Sequence, residues 1–134
     1  MDTGKSALGL DGNVAAALGY PIGIIAIICL VMEKENRFVK FHALQSILLH
    51  VAFIIVIIVV WILGIILLFA GIAASAATDS GAIGGLASML FGLIWLAVIV
   101  CYLGGLILAA VKAYGGNYFK LPIIGNMADK FANK

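Results

Sequence analysis

The sequence predicts an all-α integral membrane protein, a helical bundle of three transmembrane helices with a short C-terminal interfacial helix. Three observations carry that expectation. The 134 residues are 65% hydrophobic and 10% charged, with mean hydropathy +1.24, far from the mix of a soluble domain. The apolar residues form blocks too long and too continuous for the one-sided faces of soluble helices. A spanning helix needs about 20 apolar residues, at about 1.5 Å of rise each across about 30 Å of hydrocarbon, and three runs reach that length. A β-barrel would alternate apolar and polar residues, which these blocks do not. Residues 1–134 therefore read as a single membrane domain.

The first span, about 14–32, is VAAALGYPIGIIAIICLVM and carries no charge. Asp11 or Asn13 is placed to cap its helix, because a short polar side chain accepts from orphan N–H groups. Pro21 removes one backbone donor, which predicts a kink near Tyr20 and Pro21. The run lacks a basic leader and a small-x-small cleavage site and meets Glu33, Lys34 and Glu35 directly, so it is expected to be retained rather than removed as a signal. A polar connector, 33–43, follows. The second and third spans, about 44–72 and 86–112, lie in runs longer than the bilayer needs, so each must tilt or extend past the lipid at its Gly/Ala/Ser-rich end. The turn between them is TDSGAIGG, 78–85, and its small, mildly apolar flanks leave open whether the helices continue or dip back.

In the tail, 113–134, Gly115, Gly116 and Asn117 suit the end of the third helix, and Pro122 blocks continuation. Beyond it Ile124, Met127, Ala128 and Phe131 share one helical face, with Asn126, Asp129 and Lys130 on the other. That pattern predicts a helix lying on the membrane surface.

Charge gives an orientation. With three spans, the connector and tail share a side that holds seven of the eight basic residues, while the other side has Lys5 beside Asp2, Asp11 and Asp79. The positive-inside rule then puts the N-terminus outside and the C-terminus in the cytoplasm of a multi-pass cell-membrane protein. A net charge of +2 is too small to imply a nucleic-acid partner, and membrane lipids are the expected one. Cys29 and Cys101 lie in separate apolar runs without CxxC spacing and read as inert thiols.

Polar groups within lipid are costly, which singles out His42, Gln45, Ser46 and His50 at the start of the second run. His42, Ser46 and His50 fall at i, i+4 and i+8, a loose stripe on one helix. Eight residues put the two histidines about 12 Å apart, too far to share an ion unaided. No HExxH, carboxylate cluster or cysteine set adds ligands, so neither a metal nor another cofactor is expected. Small residues at four-residue spacing mark candidate packing faces: Ala15, Gly19 and Gly23; Gly84, Ser88 and Gly92; Gly105 and Ala109. Trp61 and Trp95 fall inside their runs and mark no interface.

Two polar signatures, EKENRFVKFHALQS after the first span and AYGGNYFKLPIIGNMADK after the last, resemble a widespread group of small prokaryotic membrane proteins of unknown function. That group is similar to the small integral subunit of the chloroplast inner-envelope import translocon and includes magnetosome membrane proteins implicated in crystal maturation. Matching residues are Glu33, Lys34, Glu35, Phe38, Phe41, His42, Gln45 and Ser46, then Ala113, Tyr114, Gly116, Phe119, Pro122, Ile124 and Gly125. The import subunit has four spans, and three here is a departure.

The expected function is a non-catalytic membrane subunit or scaffold, assisting protein translocation, insertion or membrane organisation with other membrane subunits. Nothing reads as an enzyme: there is no phosphate loop, nucleophile motif or intramembrane carboxylate pair. Phe38, Phe41, Tyr118 and Phe119, with Glu33, Glu35, Lys40 and Lys120, form the candidate cytoplasmic docking surface. The alternative is a small homo-oligomeric channel or transporter, lined by His50, Gln45 and Ser46.

Overall fold

The computed structural model describes residues 3–133; Asp2 and Lys134, counted in the charge argument, lie outside them. Among the described residues there are five helices and no strand: α1 Gly12–Leu18, α2 Gly23–Met32, α3 Arg37–Thr78, α4 Ala82–Tyr114 and α5 Ile124–Ala132. At about 1.5 Å per residue α3 runs about 63 Å and α4 about 50 Å, and both are apolar enough to cross a membrane. Only 6% of the most apolar stretch of each is buried within the chain. A soluble protein buries such helices, so this exposed apolar surface belongs in lipid.

The expected first span is not one helix. The structure breaks it into α1 and α2, about 10 and 15 Å long, and neither crosses the bilayer alone. Pro21 supplies no N–H, and the chain turns over 19–22 with bonds of 3.2 Å from Tyr20 N to Ala17 O and Ile22 N to Leu18 O. The expected kink is thus a reversal: a Cβ placed on Gly19 would touch Ala26 at 3.4 Å, far nearer than seven residues along a continuous helix allow. The capping expectation also fails. Asp11 makes no cap bond and pairs with Lys5 at 2.6 Å, while the N–H of Asn13 donates to Thr3 Oγ1 from upstream.

The chain forms two compact units. One comprises 1–52 and 103–134, and its core joins Ala15 and Ala16 of α1, Ala26 and Cys29 of α2, Phe38, Val39 and Ala43 of α3, and Ala109 and Ala113 of α4. Asn36 caps α3 by accepting from Val39 N at 3.2 Å. Its Nδ2 also donates to the carbonyls of Thr3 and Lys5, and Glu33 Oε2 accepts from Ala7 N. The side chain of Asn13 reaches Tyr114 O at 2.8 Å. Residues 3–13 therefore lie against the connector and the end of α4.

At that end of α4, Asn117 N bonds Lys112 O and Gly116 N bonds Ala113 O, with Gly116 at φ 74. This is a Schellman motif, and glycine takes its left-handed position without strain. The tail helix α5 buries Ala128 and Ala132 against Phe41, Leu44 and Leu48 of α3, and leaves Met127 and Phe131 of the expected apolar face outward.

The second unit, 53–102, is the hairpin part of α3 and α4, and the turn shrinks to residues 79–81 because both small-residue flanks stay helical. Asp79 takes the left-handed conformation that closes it. Gly64 faces the Phe91 ring, Gly71 meets Gly84, and Trp61 sits edge-on to Trp95 at 6.1 Å. A groove of about 510 Å3 runs past Trp61, Gly64, Gly71, Ser75, Gly84 and Phe91.

Candidate functional site

The helical period places His42, Gln45 and Ser46 at i, i+3 and i+4 on one face of α3. All three are fully buried, and Tyr20, delivered by the break between α1 and α2, is buried beside them. Gln45 Nε2 donates to Tyr20 Oη at 2.7 Å and to Phe119 O at 3.0 Å, while its Oε1 accepts from Leu121 N at 3.0 Å. Asn117 O can only accept, so His42 Nε2 carries a proton and donates to it at 3.0 Å. In the neutral imidazole Nδ1 then accepts from Tyr20 Oη, 2.9 Å away. Ser46 Oγ donates to Gly19 O at 2.7 Å. His50 is half-buried, bonds Ser46 O through Nδ1 at 2.8 Å, and lies 3.8 Å from a Cβ placed on Gly23.

Aromatic rings close the network. Phe38 and Phe41 stand edge-on to the His42 ring at 4.6 and 4.9 Å, and Tyr118 lies against both phenylalanines at 5.1 and 5.4 Å. The rings expected to form a docking surface do meet, but Phe38 and Phe41 are buried as core, while Tyr118 stays half exposed and Phe119 is partly buried. Glu33 is buried too, accepting from Ala7 N and Asn36 N. Glu35 and Lys120 are exposed and Lys40 is partly so. Lys120 pairs with Asp129 at 2.9 Å, and Arg37 reaches the same carboxylate at 3.2 Å. The Lys120 hydrogen bond holds the Asp129 carboxyl below the usual carboxylate range.

The small residues divide. Ala15 and Ala109 are buried contact points, Gly19 meets α2, and Gly23 meets His50. Gly84 contacts Gly71 and Ser75 within the hairpin, Ser88 bonds back to Gly84 O, and Gly105 just touches Leu121. Gly92 faces open space. Sequence reasoning missed Asn36, Gly64 and Gly71, and placed Tyr20 at a kink without its polar role. For Asn36 the signal was present, since it directly precedes a helix start. Gly125 was marked only through the resemblance, and its need arises from the fold: a Cβ there would lie 2.6 Å from Lys120 Cα. Among the described residues no three His, Cys, Asp or Glu side chains gather as a metal-binding set.

Comparison with known proteins places this geometry in a family. A membrane protein of the UPF0132 group from Methanocaldococcus jannaschii is 38% identical over 130 residues, covering 96% of each chain. Another from Archaeoglobus fulgidus is 34% identical over 119 residues, 88% of this chain and 92% of its own. A second protein from Methanocaldococcus jannaschii is 31% identical over 126 residues, 93% of this chain and 73% of its own. No solved structure matches. The profile of the magnetosome magnetite crystal formation protein family matches residues 7–128, and by that extent the chain belongs to this family of membrane proteins.

Proposed function

We propose that the chain is a non-catalytic integral membrane subunit or scaffold whose basic end faces the cytoplasm. What supports this reading is the use made of the polar core. His42, Gln45 and Ser46 hydrogen-bond to the tail backbone, to Tyr20 and to Gly19, so they hold segments together. Every fully buried side-chain nitrogen and oxygen among the described residues has a partner. Such a network rigidifies one arrangement of segments. The family description names crystal formation, and the archaeal relatives are described only as membrane proteins. Organising a membrane, or assisting insertion or translocation of other proteins, is a role that needs no chemistry from the chain.

The channel alternative asks His50, Gln45 and Ser46 to line a pore; His50 is half-buried, but Gln45 and Ser46 are completely enclosed and bonded within one chain. Extraction of the tagged protein from its native membranes in mild detergent, with the mass and composition of the particle measured, tests the proposal. A particle holding a second protein in fixed ratio is expected. A homo-oligomer that passes solute in liposomes would replace the subunit reading with the channel.

A further inference from the structure

We propose that residues 12–32 form a re-entrant helical hairpin that occupies only the leaflet on the basic side, so that the chain crosses the bilayer twice and its N-terminal segment and tail face the same side. The occupant of the outward face of α2 is then the acyl chains of that leaflet.

Four observations converge. Both ends of the hairpin are tied to the same place: Asn36 holds Thr3 and Lys5, Glu33 holds Ala7, and Asn13 holds Tyr114. A full crossing between residues 12 and 33 would separate these partners by the thickness of the membrane. Length agrees, because α2 at about 15 Å is too short to cross the bilayer.

The tip is built for lipid. Irregular backbone at membrane depth is tolerated only where its polar groups are satisfied within the protein. Here Gly19 O accepts from Ser46, Gly19 N bonds Ala15 O, Tyr20 N bonds Ala17 O, Ile22 N bonds Leu18 O, and Pro21 has no N–H to satisfy. From Val14 to Met32 there is no charge. Along α2, Ile24, Ile27 and Val31 fall on one face and are 69%, 53% and 74% exposed, an apolar stripe in a chain whose long helices also expose their apolar residues.

Charge supplies the fourth. With two crossings, Lys5 joins Lys34, Arg37, Lys40, Lys112, Lys120 and Lys130, so that all seven described basic residues lie on one side. The short turn on the other side then carries only Asp79. The positive-inside asymmetry becomes complete, where three spans left Lys5 as an exception.

The test needs no partner and is independent of the subunit reading. The full-length protein, with wild-type cysteines and a different epitope tag at each end, is expressed in a bacterial inner membrane and treated with protease in inside-out vesicles and in spheroplasts. Both tags lost together from the same preparation is the expected result; loss of the two tags from opposite preparations overturns the proposal. A nitroxide on Ile24→Cys, with Cys29 and Cys101 changed to Ala, reads the occupant. High accessibility to oxygen and low accessibility to a water-soluble nickel chelate is expected. Access by the chelate, or dipolar broadening from a second label, would place water or a second copy there instead and overturn the lipid assignment.

Discussion

A glutamine side chain carries two N–H donors and an oxygen with two lone pairs, and Gln45 commits three of these to groups from two other segments. Replacing it with leucine keeps the volume and leaves Leu121 N and Phe119 O buried without partners, each costing about 1–3 kcal/mol. Gln45→Leu is therefore expected to lose about 3 kcal/mol of stability in detergent, read by thermal unfolding, with proteolytic cleavage between residues 117 and 124 appearing before global unfolding. Equal loss of stability with the tail still protected would show that the tail is held by something other than Gln45. The stripe of His42, Gln45 and Ser46 was legible from spacing and from the cost of polar groups in an apolar run. Four of their five partners were not, because three are backbone carbonyls and one a backbone N–H, which carry no side-chain signature; the fifth, Tyr20 Oη, is brought in by the break between α1 and α2.

Elements show the same division. The long helices could be read directly, since apolar composition is a local property and each run far exceeds a soluble helix. The reversal at 19–22 could not, because a proline in a membrane helix is equally compatible with a kink. What decides it is contact between distant residues, Ser46 with Gly19 and Asn36 with the segment before α1. Likewise α5 was legible as an amphipathic helix, but the packing of its alanine face on Phe41, Leu44 and Leu48 of α3 was not. Its exposed anchor is Asp129, shared by Lys120 and Arg37. A carboxyl held below its ordinary value stabilises the docked state at any pH above that value, about 4, and loses the contribution as pH falls through its depressed folded value. Protease protection of α5 is accordingly expected to be flat from neutral pH to about pH 5 and to decline only below about pH 4. In Asp129→Asn the decline should vanish, with protection already lowered at neutral pH. A variant that keeps the wild-type acid response would assign it to another carboxyl.

For the whole molecule the governing fact is that its two long helices expose their apolar faces, which only lipid makes favourable. The chain has two tryptophans, and both sit in the hairpin: Trp61 is 57% exposed, and Trp95 stands edge-on to it. Trp61 is 14 residues past Ile47, about 21 Å along α3, and Trp95 is 13 residues past Ala82, about 20 Å along α4. Neither tryptophan is near the headgroups if the apolar stretches span the bilayer, so the same placement that made them useless as interface markers makes them reporters of the interior. In reconstituted vesicles, lipids brominated near the middle of the acyl chain should quench the intrinsic fluorescence strongly, lipids brominated close to the headgroup weakly, and aqueous iodide hardly at all. Wild-type protein suffices, since there is no tryptophan elsewhere to dilute the signal. Strong iodide quenching would put the hairpin in water. Its exposed isoleucines and leucines would then need a protein partner to cover them, and a lipid-embedded subunit would no longer be the physical picture.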